Sequence, residues 1–264
     1  MGRFQLLNRQ IESSTTMIQA LLKRLSVTQF HCFSGWFCLF IFASIFFTVF
    51  PEVDIAVTQF FYADQGVFKA NDWLLVKGVY HLTPWIGRFA FIFAVCILFL
   101  SILSPPKVSR RHWRRAAAVV SVVVLGIGLL VHTALKDGMG RPRPRDVQNF
   151  MGATAYVPVM VPSQFCQTNC SFVSGHAAVG FAIMSVGMLG VRRRRQFWLF
   201  TGMLAGGLIG LVRVSQGGHF LSDVVFSLIV IWGSHLLIRA VWLRFRFWQL
   251  HKVNVLVSEL PRTL

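Results

Sequence analysis

The chain has 264 residues, of which 55% are hydrophobic, and it includes 26 Phe and 8 Trp. This composition is too apolar for an ordinary soluble domain and indicates a membrane protein that crosses the bilayer several times. The formal net charge of +17 could indicate a nucleic-acid partner, but the cations fall in clusters between apolar runs, which argues against one.

Six apolar runs approach the roughly 20 residues that a bilayer span needs. We therefore predict an all-α fold, a six-helix transmembrane bundle, with an interfacial amphipathic helix between spans one and two in the aromatic-rich stretch 51–85. The predicted spans are 31–50, 86–104, 116–135, 174–191, 197–213 and 220–243, and together they form one domain of residues 31–243. A cytoplasmic N-terminal segment (1–30) precedes this domain, and a cytoplasmic C-terminal tail (244–264) follows it.

The distribution of charge sets the orientation of these spans. With the N-terminus inside, the inner segments hold 18 of the 26 Lys and Arg residues and two of the nine acids, so the inner face carries about +16 and the outer face about +1. Cytoplasmic loops carry such an excess of cations, which are also attracted to anionic lipid headgroups. We therefore predict cytoplasmic termini and no nucleic-acid partner.

Three polar fragments lie at the outer ends of the predicted spans. They are residues 136–144 (KDGMGRPRP), 174–176 (SGH) and 213–223 (RVSQGGHFLSD). Ionisable groups at a membrane boundary are costly unless they are paired, solvated or functional. Because the fragments share one membrane depth and supply cations, histidines and a carboxylate, they predict a site for a phosphate group.

The first fragment carries Lys136 and alternating arginines at 141, 143 and 145, which cannot all face one ligand. An Arg guanidinium is a planar fork of donors that suits phosphate oxygens, and Lys supplies a compact charge. A cationic loop that only holds anionic headgroups is the alternative interpretation.

The second fragment, Ser174-Gly175-His176, lies where a helix is predicted to begin. Free amides at a helix N-terminus bind anions, Gly175 permits close approach of a ligand, and His176 can exchange a proton near neutral pH. Ser174 could equally be a plain N-cap, and His176 could be structural.

In the third fragment, His219 and Asp223 stand four residues apart and would share one helix face. The carboxylate could hold the imidazole in one tautomer and raise its nucleophilicity. Gly217 and Gly218 permit a tight turn before His219, and Arg213 precedes that turn. A structural His–Asp pair remains the alternative.

Cys166 and Cys170 lie in a polar loop before the second fragment. A disulfide between them is possible if the loop faces an oxidising compartment. A metal site is less favoured, because no second Cys or His pair lies nearby at ligand spacing.

The pattern Lys136…Arg143-Pro144, Ser174-Gly175-His176, Arg213…His219…Asp223 resembles the type 2 phosphatidic acid phosphatase superfamily of lipid phosphate phosphatases. The family usually has Pro before Ser-Gly-His, where this chain has Val173. Arg141-Pro142 also mimics Arg143-Pro144, and Arg143 is preferred because it keeps the six-residue spacing of the family motif.

The resemblance implies a phosphohistidine mechanism without a metal or cofactor. By that resemblance, His219 attacks phosphorus, Asp223 orients it, and His176 protonates the leaving oxygen. The residues that would hold the phosphate oxygens are Lys136, Arg143, Ser174, Gly175 and Arg213.

Within the family, the stretches CQTNCSFVSGH and VRVSQGGHFLSDVVF look most similar to bacterial lipid A phosphatases of the 4′-phosphatase type. The resemblance implies a multi-pass protein of the bacterial inner membrane whose site faces the periplasm and whose partner is a phosphorylated membrane lipid. The alternatives are an undecaprenyl diphosphate or phosphatidylglycerol phosphate phosphatase, a lipid phosphotransferase, and a non-enzymatic lipid-binding or transport protein.

Overall fold

The computed structural model describes residues 29–63, 66–103 and 110–259. Five of its helices are long and apolar enough to cross a membrane, and a sixth apolar helix, Gly175–Gly187, is shorter. The predicted all-α, six-helix architecture is thereby confirmed. Most of the predicted N-terminal segment 1–30 and the last five residues of the predicted tail 244–264 lie outside the described residues.

The helices follow the predicted spans in order. They are α1 (Gln29–Val49), α2 (Glu52–Gln59), α3 (Leu74–Leu103), α4 (Arg110–Val122), α5 (Gly175–Ala182), α6 (Arg192–Ser215) and α7 (Leu221–Glu259). After α4 the same helix continues as a π-helical segment, Val123–Lys136, and a last turn, Asp137–Met139. After α5 a 3-10 segment, Ile183–Gly187, completes the short apolar helix.

The stretch between the first two spans forms several short elements, whereas the sequence predicts a single interfacial helix there. Only Glu52–Gln59 forms the interfacial helix α2, which Pro51 precedes and whose first turn carries Glu52 and Asp54, as the positive helix N-terminus favours. Two short antiparallel strands follow, β1 (Tyr62–Ala63) and β2 (Val67–Phe68), and then a 3-10 turn, Lys69–Asp72. Residues 74–85 belong to the first turns of α3, where the side chains of Leu74 and Leu75 are highly exposed.

Close packing of α5 against α6 fixes the centre of the bundle. A Cβ on Gly180 would lie 2.6 Å from the Cα of Gly206, so the two backbones touch. Small residues allow this approach between membrane helices. The helix α5 is the most buried of the bundle as a result, and its first residues are held at a fixed position relative to α6.

The outer faces of the bundle, which point away from the contact between α5 and α6, are apolar and exposed. Phe42 on α1, Phe89 and Phe93 on α3 and Phe200 on α6 each expose more than 60% of their surface. Large apolar areas of this kind are typical of a surface that meets lipid. Trp36 anchors α1 to α7, because its indole nitrogen donates to the Ile229 carbonyl at 2.8 Å.

An aromatic cluster closes one end of the bundle. Phe68 of β2, Val147, Phe150 and Phe220 are buried against one another, and the Tyr62 ring meets Phe68 and Phe150 edge-on. The segment that supplies Val147 and Phe150 is held to Thr154, because the Gln148 amide donates to the Thr154 carbonyl at 2.8 Å and the Thr154 amide donates to the Asp146 carbonyl at 2.9 Å. This cluster supports the turn that leads into α7, which carries the candidate site.

Candidate active site

The three polar fragments meet at one end of the helix bundle. Lys136 ends the π-helical segment, Ser174 precedes α5, and Arg213 lies in the last turn of α6. His219 lies just before α7, and Asp223 lies in the first turn of that helix. The Ser174 amide donates to the Asp223 carbonyl at 3.2 Å, which ties the second fragment to the third.

His219 is buried, and its hydrogen bond determines its tautomer. Its Nδ1 lies 2.7 Å from the backbone carbonyl of Ser171. A carbonyl only accepts, so Nδ1 carries the proton and Nε2 keeps a free lone pair. Burial lowers the pKa of His219 to about 3, so the ring is neutral near pH 7. A neutral imidazole with a free Nε2 is the form that can act as a nucleophile.

The carboxylate of Asp223 holds the segment around His219 more than it holds the ring itself. Its Oδ2 lies 3.7 Å from His219 Nδ1, which is too long for a hydrogen bond. The same oxygen accepts from Ser171 Oγ at 2.5 Å and from the Phe220 amide at 2.8 Å. The His219 ring thus donates to the Ser171 carbonyl and not, as expected, to Asp223. Asp223 in turn accepts a hydrogen bond from the Ser171 hydroxyl and so holds Ser171 in place.

Arg141 is buried and all of its donor groups have partners. Its Nη1 donates to Asp223 Oδ1 at 2.6 Å, its Nη2 to Asp54 Oδ2 at 2.8 Å, and its Nε to the Val157 carbonyl at 2.8 Å. The guanidinium also lies over the ring of Phe220, 4.4 Å from its centroid. Because its donors are occupied, Arg141 serves as a structural bridge between two carboxylates.

Asp54 of α2 is the second carboxylate of this bridge and is fully buried. It accepts from the amide of Ser222 at 2.9 Å and from its hydroxyl as well. The Tyr156 hydroxyl donates to Asp54 or to the Pro51 carbonyl, and burial raises the pKa of Tyr156, so the phenol keeps its proton. The interfacial helix is thereby fixed to the start of α7.

Three other cations of the site have no carboxylate partner in the part of the chain that the structure describes. Within residues 29–63, 66–103 and 110–259, no ion pair includes Lys136, Arg143 or Arg213. Lys136 and Arg213 are nevertheless largely buried, and the buried Nε of Arg213 has no hydrogen-bond partner in that part of the chain. Cations gathered without a counter-charge are an arrangement that favours an anionic ligand.

Arg143 and Arg213 are each held by neutral groups. Arg143 Nη2 donates to the Asn169 carbonyl at 2.6 Å, and its side chain is half-buried. Arg213 Nη1 donates to the side-chain oxygen of Gln216, and its guanidinium lies 4.6 Å from the centroid of the Tyr80 ring. These contacts fix the positions of both guanidinium groups and leave their charges unneutralised.

Two glycines make the turn before His219 possible. Gly217 has a φ of +63°, and a Cβ there would lie 2.4 Å from the ring of Phe68. A Cβ on Gly218 would lie 2.3 Å from Arg213 Nη2. Arg213 therefore approaches the backbone at Gly218 closely and occupies the space that a larger residue at 218 would need.

The second fragment forms the start of α5. Ser174 is its N-cap, because its hydroxyl accepts from the Ala177 amide at 3.4 Å, and Gly175 is the first helical residue. A Cβ on Gly175 would lie 3.8 Å from Lys136 Nζ and 3.5 Å from His132 Cε1. The free amides at the start of α5 thus lie beside the unpaired cation Lys136.

His176 is held by Tyr80 of α3. The two rings stack with centroids 5.1 Å apart and planes 15° apart. His176 Nε2 lies 3.2 Å from the Tyr80 carbonyl, which can only accept, so Nε2 carries a proton. Tyr80 therefore contacts both His176 and Arg213, and it positions an acid group and a cation at the same site.

Sequence reasoning missed several residues that build this site. Asp54 and Tyr80 lie in the stretch 51–85, for which the sequence predicts only an interfacial helix, and the motif spacing favours Arg143 over Arg141. The signal that could have identified Asp54 is a carboxylate inside a mostly apolar stretch of a chain that has few acidic residues. The other residues that build the site and that the sequence does not single out are Ser171, Ser222 and Tyr156.

Cys166 and Cys170 form a disulfide in the loop before Ser171. The described residues contain no group of three or more His, Cys, Asp or Glu side chains that could hold a metal ion. What the site brings together is a neutral imidazole, a second histidine with a proton on Nε2, and three unpaired cations. Chemically, this set can hold a phosphate group and attack its phosphorus atom.

Comparison with known proteins agrees with this arrangement. A family model described as the PAP2 superfamily matches residues 116–247, which include all three polar fragments. A protein named lipid A 4′-phosphatase from Francisella tularensis subsp. novicida (strain U112) is 36% identical over 222 residues, which are 83% of this chain and 98% of that protein.

Two further proteins of the same name are more distant. The one from Rhizobium leguminosarum is 26% identical over 79% of this chain and 93% of its own length. The one from Rhizobium etli is 27% identical over 79% of this chain and 84% of its own length. No solved structure matches the chain.

Proposed function

The chain belongs to the PAP2 superfamily, and we propose that it is an integral membrane phosphatase that removes the 4′-phosphate from lipid A. The observation that carries the proposal is the neutral His219, with a free Nε2, beside three cations that have no carboxylate partner in the described chain. The name of the relatives, which match over most of this chain, supports the choice of lipid A.

In the first step, His219 Nε2 attacks the phosphorus atom and forms an N–P bond. The phosphate dianion of the bound lipid favours the charged form of His176, with protons on both ring nitrogens. The bond between phosphorus and the sugar oxygen breaks, and that oxygen takes the Nε2 proton of this imidazolium, which leaves His176 neutral. In the resting structure this proton is directed at the Tyr80 carbonyl. The leaving oxygen must replace that carbonyl as the acceptor when the lipid binds.

In the second step, water attacks the phosphohistidine. His176, now without its Nε2 proton, accepts a proton from the water, and the N–P bond breaks. Inorganic phosphate leaves and His219 returns to its neutral form. The same histidine thus acts first as an acid and then as a base.

The phosphate oxygens are held by Lys136, Arg143, Arg213, the Ser174 hydroxyl and the Gly175 amide. Phosphoryl transfer depends mainly on positioning and on fixed positive charge around the equatorial oxygens. These groups are held before the substrate arrives, so little reorganisation is needed during the reaction. Arg143 is assigned here, and not Arg141, because the donors of Arg141 are occupied by Asp54, Asp223 and Val157.

The site is proposed to face the periplasm of a bacterial inner membrane. The cation-rich segments lie at the other ends of the spans, as the positive-inside rule requires for that orientation. The Cys166–Cys170 disulfide lies on the loop beside the site, and disulfides persist in oxidising compartments such as the periplasm.

The test is hydrolysis of purified lipid A by the purified protein in detergent, followed by mass spectrometry of the lipid and assay of free phosphate. We expect loss of the 4′-phosphate, and at least a thousandfold loss of rate in His219→Ala. Full activity of that variant would contradict the mechanism. Denaturing the protein rapidly at alkaline pH, where the acid-labile N–P bond survives, should show phosphate on His219 only in the unmodified protein.

The same assay separates the alternatives. A phosphotransferase would give a second phosphorylated lipid and little free phosphate. Activity on undecaprenyl diphosphate or phosphatidylglycerol phosphate, without activity on lipid A, would move the assignment to those lipids. A binding or transport protein would release no phosphate from any of them.

The reaction is proposed to need no metal ion. We expect the rate to be unchanged after treatment with a chelator, because the cations Lys136, Arg143 and Arg213 supply the positive charge that a metal would otherwise supply. Loss of the activity with chelator, and its return with a divalent cation, would contradict this part of the proposal.

A further inference from the structure

A second cluster of cations lies at the end of the bundle opposite the active site. It consists of His235 and Arg239 on α7 and Arg195 at the start of α6, and we call it the distal basic cluster. Arg239 follows Asp223 by 16 residues, which is about 24 Å along a helix. The cluster therefore takes no part in the proposed reaction.

His235 and Arg239 are buried on the same face of α7. They stand four residues apart, and their exposed fractions are only 1% and 7%. The Nδ1 of His235 is buried and has no hydrogen-bond partner within the described residues. A buried polar atom without a partner is costly, and the Nδ1 of His235 is free to form a hydrogen bond with a ligand.

The charges of the distal basic cluster are not neutralised by the described chain. Arg195 lies close enough to Arg239 and His235 for its charge to act on both. Within residues 29–63, 66–103 and 110–259, no carboxylate pairs with Arg195 or Arg239. Cys32 of α1 is the other titratable group that acts on Arg239. Buried Arg141, by contrast, has two carboxylates.

The surroundings of the cluster suit a lipid. A cavity of about 450 Å³ at the start of α6 is lined by Val191, Phe197 and Trp198 together with Arg193 and Arg194. Apolar walls beside arginines match an acyl chain beside an anionic headgroup. Basic pockets between membrane helices bind the headgroups of anionic lipids.

We propose that the distal basic cluster binds the phosphate headgroup of an anionic phospholipid at the membrane interface opposite the active site. The headgroup phosphate would accept hydrogen bonds from Arg195 and Arg239 and from the Nδ1 of His235. Its charge would offset the repulsion among these residues. The ligand is assigned to a lipid and not to free phosphate because highly exposed apolar residues, Val191 and Phe197, stand on either side of Arg195 in the chain.

The test is binding of phosphatidylglycerol to the full chain in a neutral detergent, measured by native mass spectrometry and by the shift of Tm. Phosphatidylglycerol should give a gain in Tm that Arg239→Gln abolishes. Phosphatidylcholine should give none, and any gain from inorganic phosphate, which the active site can bind, should persist in Arg239→Gln. In Arg239→Gln and in Arg195→Gln, we expect the affinity for phosphatidylglycerol to fall about tenfold, as for loss of one charged hydrogen bond. Arg244→Gln is the matched control, since Arg244 lies on the same helix and is exposed.

Equal affinities in all three variants would overturn the proposal. A gain in Tm from inorganic phosphate that Arg239→Gln abolishes would overturn the assignment to a lipid. If Arg239→Gln does not fold, Arg195→Gln decides the outcome, because Arg195 is less buried. None of these measurements uses catalysis, so the result stands apart from the proposed phosphatase activity.

Discussion

Arg141 and Arg143 are two residues apart, yet they lie in opposite electrostatic environments. Arg141 is enclosed by Asp54 and Asp223, whereas Arg143 is half-exposed and, within the described chain, is bonded to a neutral carbonyl. The first belongs to a buried half of the site in which every charge is paired. The second belongs to an open half, with Lys136 and Arg213, in which none is paired.

The two halves show that the partner of an arginine decides its role. A paired guanidinium in a low-dielectric interior fixes the backbone around it and has no donor to spare. Unpaired cations held by neutral groups are stable enough to fold, and they become most favourable when an anion arrives. The buried half is therefore expected to control stability, and the open half is expected to control catalysis.

The largest effect should come from breaking the buried half. Arg141→Met would leave Asp54 and Asp223 buried without a counter-charge, which typically costs about 3–5 kcal/mol. We expect a large fall in Tm and loss of activity. Thermal unfolding in detergent measures the first. A Tm close to that of the unmodified protein would show that the two carboxylates do not need Arg141.

The matching change in the open half is Arg143→Gln. It should leave the Tm unchanged and lower kcat by about 10²–10³, the usual effect of removing one group that stabilises a transition-state oxyanion. Arg145→Gln is the control, because Arg145 is exposed two residues further on. If Arg145→Gln lowered kcat and Arg143→Gln did not, the register of the first fragment would be wrong.

A smaller effect should follow from Asp54→Asn. The amide keeps an acceptor for Ser222, and Arg141 keeps its ion pair with Asp223, so we expect the free energy of unfolding to fall by about 1–3 kcal/mol. The exposed Asp72→Asn serves as the control, and its Tm should not change. A variant Asp54→Asn as stable as the unmodified protein would show that α2 is not held through this residue.

The smallest effect should come from Tyr80→Leu. Loss of the ring removes a cation–π contact with Arg213 and the stacking on His176, each worth about 1 kcal/mol. We expect a roughly tenfold lower kcat, while Tyr80→Phe keeps most of the activity because the ring makes both contacts. Equal loss in Tyr80→Leu and Tyr80→Phe would assign the effect to the hydroxyl.

The predicted spans and the three polar fragments came directly from local pattern. A run of apolar residues specifies a membrane helix whatever its neighbours are, because the bilayer demands both length and hydrophobicity. The same argument placed Lys136, His176 and Arg213 at helix ends. It could not resolve the stretch 51–85, because residues 74–85 are apolar enough to continue the helix α3.

The sequence by itself determined the membrane class, the order of the helices and the residue types gathered at one end. Only the tertiary structure decided which arginine is paired, which carbonyl fixes the tautomer of His219, and that Tyr80 holds His176. These contacts join residues 48 to 96 positions apart, such as His219 with Ser171, Arg141 with Asp54 and His176 with Tyr80. Spacing along one helix reports which residues share a face, but the pairing of donors with acceptors depends on how separate helices pack.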